Sequence, residues 1–467
     1  MMSKTKIVAT IGPACESDES IRAMITSGVS VFRFNTKHNE SAWHEEAIGH
    51  VRKIAQEISI PTGILVDLQG PEIRVNTPEK KPLSVLKDQK VIFSYESQPN
   101  GFCIPTRQLY EALSVGVVVV IDDGKYVFTV TKVTKESFTA RATEDYTISD
   151  RKGMNVPGVR IDLPLLTSRD HTMLEMCERV NPDFIALSFV RDKNDVLHLR
   201  EELSQRNLSA HIVSKIEGKQ AIENIEEIID SSDAIMVARG DLGIELPFEQ
   251  ITYWQKLIIK RCRLASKPVI TATEMLQSMV ENPRPTRAEV SDVSNAVFDG
   301  TDATMLSAES ATGTYPVQAV RVMEKIASFN EGKSFVPSAT SAESSDQTRV
   351  MTHAVVDILE HLKNFTIDAV VVFTETGRTV RDLSRFRSHI PIYAITENEQ
   401  IQNQLTLSYG VIPFLVSLPV GVVLEIDSVV TMLKEKKILS EGKRVIFVHG
   451  DHWKIPGLTN TITIKEV

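Results

Sequence analysis

The chain has 467 residues, 42% of them hydrophobic and 24% charged, and a net charge of −9. This is the composition of a globular chain long enough for about three domains, and its acidic balance argues against broad nucleic-acid binding. Four scattered cysteines (Cys15, Cys103, Cys177, Cys262) form no CxxC pair, and no stretch reaches the ~18 uninterrupted apolar residues of a membrane span. A reducing cytoplasmic setting without a disulfide framework is the expectation, since the first apolar run is too short for a signal peptide.

In chain order, β-type runs alternate with amphipathic helical segments. Strands are expected at 5–11, 29–36 and 62–69, with helices at 18–27 and 42–58 between them. The rhythm then breaks and resumes with strands at 182–190, 210–217, 233–240, 267–274 and 302–310. Helices at 219–230, 248–266, 286–299 and 316–329 accompany them. Eight strands alternating with helices read as an α/β chain with a (β/α)8 barrel, whose site lies at the carboxyl ends of its strands.

The polar residues fall at those ends. They are Arg33 and Asn35, Asp67, Ser188 and Arg191, Lys215 and Glu217, Arg239 and Asp241, Thr273, Ser307 and Glu309. Residues two apart on a strand share a face, so Lys215 and Glu217 point the same way. Glu217 and Asp241 suit a divalent cation, and Lys215 and Arg239 suit an oxyanion. The competing reading, salt bridges capping a sheet, does not explain why the charges gather at one end of eight strands. Thr286-Arg287-Ala288-Glu289 reads as a capping box, which accounts for Thr286 and Glu289 without catalysis.

Residues 71–153 interrupt the barrel with Val, Thr and Phe at period two and a strong Asp123-Gly124 turn signal. This predicts a small inserted β-barrel leaving from the catalytic face, suited to act as a lid. Residues 1–70 and 154–332 are then the barrel, 333–347 a small-residue linker and 348–467 an open α/β domain. In that last domain, Phe373-Thr374-Glu375-Thr376-Gly377-Arg378-Thr379 follows a strand and opens a helix. Hydroxyls, backbone N–H groups and an arginine there suit an anion.

Several runs together resemble the pyruvate kinase family. They are Thr10-Ile11-Gly12-Pro13, Asp67 to Arg74, Lys152-Gly153-x-Asn155-x-Pro157-Gly158, Lys215-Ile216-Glu217, MVARGDLGIELP, and TATEMLQSMVENPRPTRAEVSDVSNAVFDGTDATMLSAESATGTYP. The match spans essentially the whole chain, with its motifs in order. It implies phosphoryl transfer from phosphoenolpyruvate to ADP, giving pyruvate and ATP as the last step of glycolysis.

It also implies Mg²⁺ (or Mn²⁺) held by Glu217 and Asp241, Lys215 beside the moving phosphoryl group, and Arg33 on the phosphate. Gly240 and Asp241 would meet the substrate carboxylate, Thr273 would stand beside the enolate carbon, and Ser307 would extend a proton path. Asn35, His38, Arg74 and Lys152 would contact the nucleotide. Asn35, Asp67 and the Leu68 carbonyl would form a K⁺ site. Thr374, Thr376, Gly377, Arg378 and Thr379 would bind a sugar-phosphate effector, with help from the loop 449–458 that includes Trp453. A homotetramer is likewise implied.

Three positions depart from the family pattern. Lys37 stands where the family has a serine of the K⁺ site, Gln69 where many members have lysine, and Glu274 where Gln is common. An ammonium is a fixed monovalent cation on a stem, so Lys37, paired with Glu72, is expected to make activity independent of added K⁺. Two rival readings accompany this one. One is a phosphoenolpyruvate- or pyruvate-using lyase, which the implied ADP contacts argue against. The other is a non-catalytic phosphometabolite sensor, which the joint presence of Lys215, Glu217, Asp241 and Arg33 argues against.

Overall fold

The computed structural model describes residues 3–333, 346–362, 366–417, 426–450 and 459–467. The expected linker therefore lies almost wholly outside the described residues, as do Trp453 and nearly all of the last loop.

Eight parallel strands close into a barrel: Lys6–Thr10, Val29–Asn35, Gly63–Asp67, Phe184–Leu187, His211–Ile216, Ala234–Ala238, Val269–Ala272 and Ala303–Leu306. Each pairs with its neighbours in sequence, as helix-linked crossovers require. Period-two alternation splits their side chains between two cores. Val8, Val31, Leu65, Ala186, Val213 and Met236 fill the barrel interior. Ile7, Ala9, Phe32, Ile64, Ile185 and Ile235 face outward beneath the helices. The helices present the matching stripe. In Ser41–Glu57 the buried residues are His44, Ala47, Ile48, Val51 and Ile54, at helical spacing.

The barrel expectations hold, with strand ends trimmed where side chains turn to the mouth. Three expected elements differ. The strand expected over 233–240 stops at Ala238, and Arg239–Glu245 is a short helix, so Arg239-Gly240-Asp241 is a helical first turn and not a strand end. The last strand stops at Leu306, and Ala308–Ala311 is a helical turn. The helix expected over 219–230 is two, Lys219–Glu223 and Ile225–Ser231, broken at Asn224.

The insertion forms a seven-stranded sheet, with Ile73–Val75 at one edge and Gly101–Cys103 at the other. Asn76 and Cys103 join those edges by reciprocal N–H···O bonds of 2.9 Å, which closes the sheet on itself. Phe93, Phe102, Phe128 and Phe138 stack inside it.

The C-terminal sheet has five strands in the order Val411–Leu415, Ile392–Thr396, Ala369–Phe373, Arg444–His449, Thr461–Glu466, the last antiparallel to its neighbour. Sequence periodicity missed Val411–Leu415, which Pro413 disguises, and the helix Ile426–Glu435. This domain docks on the amino-terminal face of the barrel. Lys6 Nζ donates to the Val411 carbonyl at 2.7 Å. Leu407 is fully buried among the barrel-interior residues and plugs the floor. Among the described residues no helix is long and apolar enough to cross a membrane.

Candidate active site

Strand register assembles the mouth. Asn35 pairs with Asp67, and Asp67 with Ala186, so the ends of strands two, three and four lie side by side. Asp67 is 1% exposed and accepts from Arg33 Nε at 2.7 Å. Arg33 Nη1 also donates to Thr10 Oγ1 at 3.0 Å. Lys215 Nζ sits between Ser188 Oγ at 2.8 Å, Glu217 Oε1 at 2.8 Å and Asp67 Oδ1 at 3.4 Å. The Phe189 N–H donates to Glu217 Oε2 at 2.6 Å, with Phe189 held at φ 56°.

The electrostatics follow from burial and this pairing. Burial opposes the charge on Lys215, but Asp67, Glu217 and Asp241 outweigh it and raise its pKa, so the ammonium stays protonated. Burial also opposes the charge on Asp67, yet Lys215 and Arg33 hold its carboxyl below the ordinary range. Burial pushes Glu217 up to about 7; Lys215 pulls it down, and the negative charge of Asp241 adds to the rise. The site is thus a buried cation among carboxylates, two of which repel each other across the place where a divalent cation is expected. Among the described residues no group of three or more His, Cys, Asp or Glu side chains forms a metal cage.

Strand seven ends in two left-handed residues, Thr273 at φ 68° and Glu274 at φ 55°. For a β-branched threonine this conformation is strained by about 1–3 kcal/mol and needs support. Arg239 supplies it: Nη2 donates to the Thr273 carbonyl at 2.7 Å and Nε to the Ala272 carbonyl at 3.3 Å, while Asp292 and Gln255 hold the other arm. The Gly240 N–H donates to Thr273 Oγ1 at 2.8 Å, so this donor is already engaged by the threonine. Glu309, fully buried, accepts from the N–H groups of Leu276 and Ser307 and ties strand eight to the same turn. Ser307 Oγ is buried and has no hydrogen-bond partner among the described residues.

Two family models match the chain. The pyruvate kinase barrel domain covers residues 2–320 and the pyruvate kinase alpha/beta domain covers 350–465. The chain belongs to the pyruvate kinase family. It is a phosphotransferase of that family, similar to the pyruvate kinase of Bacillus licheniformis at 41% identity over 88% of this chain and 71% of the relative. The pyruvate kinase of Staphylococcus epidermidis is 36% identical over 100% of this chain and 81% of its own length. A solved pyruvate kinase from Cryptosporidium parvum superposes with a TM-score of 0.91 at 31% identity, covering 99% of this chain and 96% of the other.

In this pyruvate kinase chain the expected nucleotide residues gather only in part. Glu72 is the hub: it accepts from Lys37 Nζ at 2.7 Å and Arg74 Nη2 at 2.5 Å. The Lys37 N–H reaches Asn35 Oδ1 at 3.2 Å. His38, beside them, has its pKa lowered by burial and by Lys37, Arg33 and Arg74. Lys152 instead points into the inserted module and pairs with Asp122 at 2.8 Å. Of the expected K⁺ ligands, the Leu68 carbonyl accepts from Ser188 Oγ at 2.8 Å. Arg191 pairs with Asp195 at 2.8 Å, an ion pair at the start of helix Lys193–Gln205. The sequence missed Glu245, which bonds Asn155 and Gly158 where the module returns to the barrel. Its place four residues after Asp241, opposite the Asn155 motif, was the available signal.

In the C-terminal domain Thr374 Oγ1 accepts from the Gly377 N–H at 2.8 Å, Arg378 pairs with Asp346, and Thr379 bonds Thr459. Gly377 sits at φ 76°, a left-handed backbone that strains an L side chain, and a Cβ there would press on the guanidinium of Arg381 at 2.6 Å.

Proposed function

We propose that this chain transfers the phosphoryl group of phosphoenolpyruvate to ADP at the barrel mouth, using Mg²⁺, as the closing step of glycolysis in the cytoplasm. The observation that carries the reading is Lys215, largely buried and protonated, held between Asp67, Glu217 and Ser188.

The donor set suits the metal. Glu217 and Asp241 are hard oxygen ligands whose mutual repulsion a divalent cation relieves. Bound there, the ion would neutralise charge on phosphate and enolate oxygens. The chain's own residues do the rest. Arg33 offers its fork to the phosphate, pre-aimed by Asp67. Lys215 supplies a positive charge that follows the phosphoryl group as it leaves and stabilises the enolate oxygen. The Asp241 backbone and the Gly240 turn orient the substrate carboxylate. Thr273 stands over the enolate carbon, with Ser307 extending a proton path behind it. Asn35, His38 and Arg74 meet the ADP phosphates, and Lys152 joins them when the inserted module closes.

The K⁺ ligand set fits less well. Asn35 Oδ1, the Leu68 carbonyl and Asp67 each already hold a donor, and Lys37 brings its own charge to Glu72. Our reading is that the Lys37 ammonium takes the place of K⁺. The Thr374–Thr379 loop binds a sugar-phosphate effector, and the chain assembles as a homotetramer.

The test of the mechanism is Lys215→Met. ATP formation from phosphoenolpyruvate and ADP should fall by at least about 100-fold, while phosphoenolpyruvate binding by calorimetry stays within a few-fold. Undiminished turnover would refute the role given to Lys215, and absence of ATP formation by the unaltered chain would refute the reaction.

A further inference from the structure

Between the barrel floor and the C-terminal domain lies a small cavity of about 10 Å³. Five of its lining side chains are cationic, Arg263, Lys267, Arg381, Arg385 and Arg387, and one is anionic, Asp302. The C-terminal domain supplies three of the cations, because Arg381 and Arg385 lie one turn apart along Arg378–Ser384 and just beyond it, and Arg387 follows. The barrel supplies the other two from the end of helix Ile251–Ala265.

Among the described residues the hydrogen-bond partners of Lys267, Arg381 and Arg385 carry no negative charge. Lys267 donates to the Ser232 carbonyl at 2.5 Å, Arg381 to the Thr376 carbonyl at 3.1 Å, and Arg385 to the Leu264 carbonyl at 3.2 Å and to His353 at 2.9 Å. Arg263 Nε faces the Arg385 carbonyl at 3.4 Å. Arg387 takes Asp302 at 2.6 Å, and that carboxylate also accepts from the N–H groups of Tyr409 and Val269. Asp233 and Asp382 act on the cluster from outside the lining.

A second observation points the same way. Ser266 Oγ, Ser408 Oγ and Arg385 Nε are buried in this lining and find no hydrogen-bond partner among the described residues. Ser408 is 1% exposed and Arg385 2%. Leaving such donors unpaired costs about 1–3 kcal/mol each. The cations are stressed as well: burial, then the like charge of Arg387, pushes Arg263 down to about 10, and burial lowers Lys267, Arg381 and Arg385.

We propose that this cavity binds one monatomic inorganic anion, of the chloride class, between Ser266, Ser408 and the arginines. A volume near 10 Å³ holds about one water-sized sphere, which suits a single-atom ion better than the larger phosphate or sulfate. A water molecule would satisfy the hydroxyls but leave the charge surplus. An anion answers both and fastens the C-terminal domain to the barrel floor. Because Arg381 also holds the Thr376 carbonyl, the ion would stiffen the base of the loop Thr374–Thr379.

Two measurements on the full chain test this. Crystals soaked in bromide should show an anomalous peak within hydrogen-bond reach of Ser408 and Ser266. Thermal unfolding should come about 2 °C higher in chloride than in gluconate at equal ionic strength, and Ser408→Ala should remove most of that gain. A cavity without a bromide peak overturns the proposal, and so does a chloride gain that Ser408→Ala leaves whole.

Discussion

At the residue scale, Arg239 shows what a side chain away from substrate contributes. Its guanidinium spans the carbonyls of Ala272 and Thr273 and is itself braced by Asp292 and Gln255. It therefore holds a strained threonine in place and is a positioning residue. Arg239→Met should lower kcat about 100-fold, since a shift near 1 Å can cost that much. KM for phosphoenolpyruvate should change little, and Arg239→Lys should recover only part of the rate because its ammonium lacks the fork. An unchanged kcat in Arg239→Met would contradict the role.

The sequence showed Arg239 as a charge beside Asp241, but its partners lie 16 to 53 residues further on, where no local pattern reaches. The pairing of Lys37 with Glu72 was legible because only two residue types at known positions were needed. The resting direction of Lys152 was not legible because a strand alternates its faces: Gly153 lies against Glu72, so Lys152 points the other way, to Asp122, in this structure.

At the element scale, alternation and amphipathic stripes made the eight barrel strands readable, because each is buried on both faces. Boundaries failed where a strand runs straight into a helical turn, as at Ala238 and Leu306, since no more than one residue separates strand from helix there and no loop marks the change. The capping box at Thr286 needed only four neighbouring residues and is present as expected.

The start of the fourth barrel strand carries a pH prediction. Burial pushes Asp183 from 3.8 up to about 7, against the Ile64 N–H that its carboxylate accepts at 2.8 Å. The native state thus keeps this proton to higher pH than the unfolded chain. Stability from this group is full below 3.8 and is lost as pH rises through about 7. In Asp183→Asn, which cannot titrate, the fall in urea midpoint between pH 5 and pH 8 should be smaller. An identical fall in both proteins would contradict this assignment.

At the scale of the whole molecule, two distant faces of the barrel serve different ends. The mouth gathers the charges for phosphoryl transfer, while the floor is closed by Leu407 and clamped by Arg387 on Gly300 and Asp302. Among the described residues the C-terminal domain meets the barrel at that floor. Its sheet was partly legible, but its docking was not, because the contacts that seat it join residues hundreds apart, such as Lys6 and Val411. If the Thr374–Thr379 loop takes a sugar phosphate, saturating sugar mono- or bisphosphate should lower the phosphoenolpyruvate concentration at half-maximal rate. An unmoved substrate curve would remove the effector reading.

In the proposed mechanism this mouth transfers phosphoryl groups with Lys37 standing in for K⁺. The direct measurement is the initial rate of ATP formation from phosphoenolpyruvate and ADP with Mg²⁺ in tetramethylammonium buffer, before and after K⁺ is added. The expected result is full turnover without K⁺ and less than about twofold stimulation, with Lys37→Ser becoming K⁺-dependent, because the fixed ammonium already supplies the monovalent charge. Strong stimulation of the unaltered chain by K⁺, or no ATP under either condition, would contradict it.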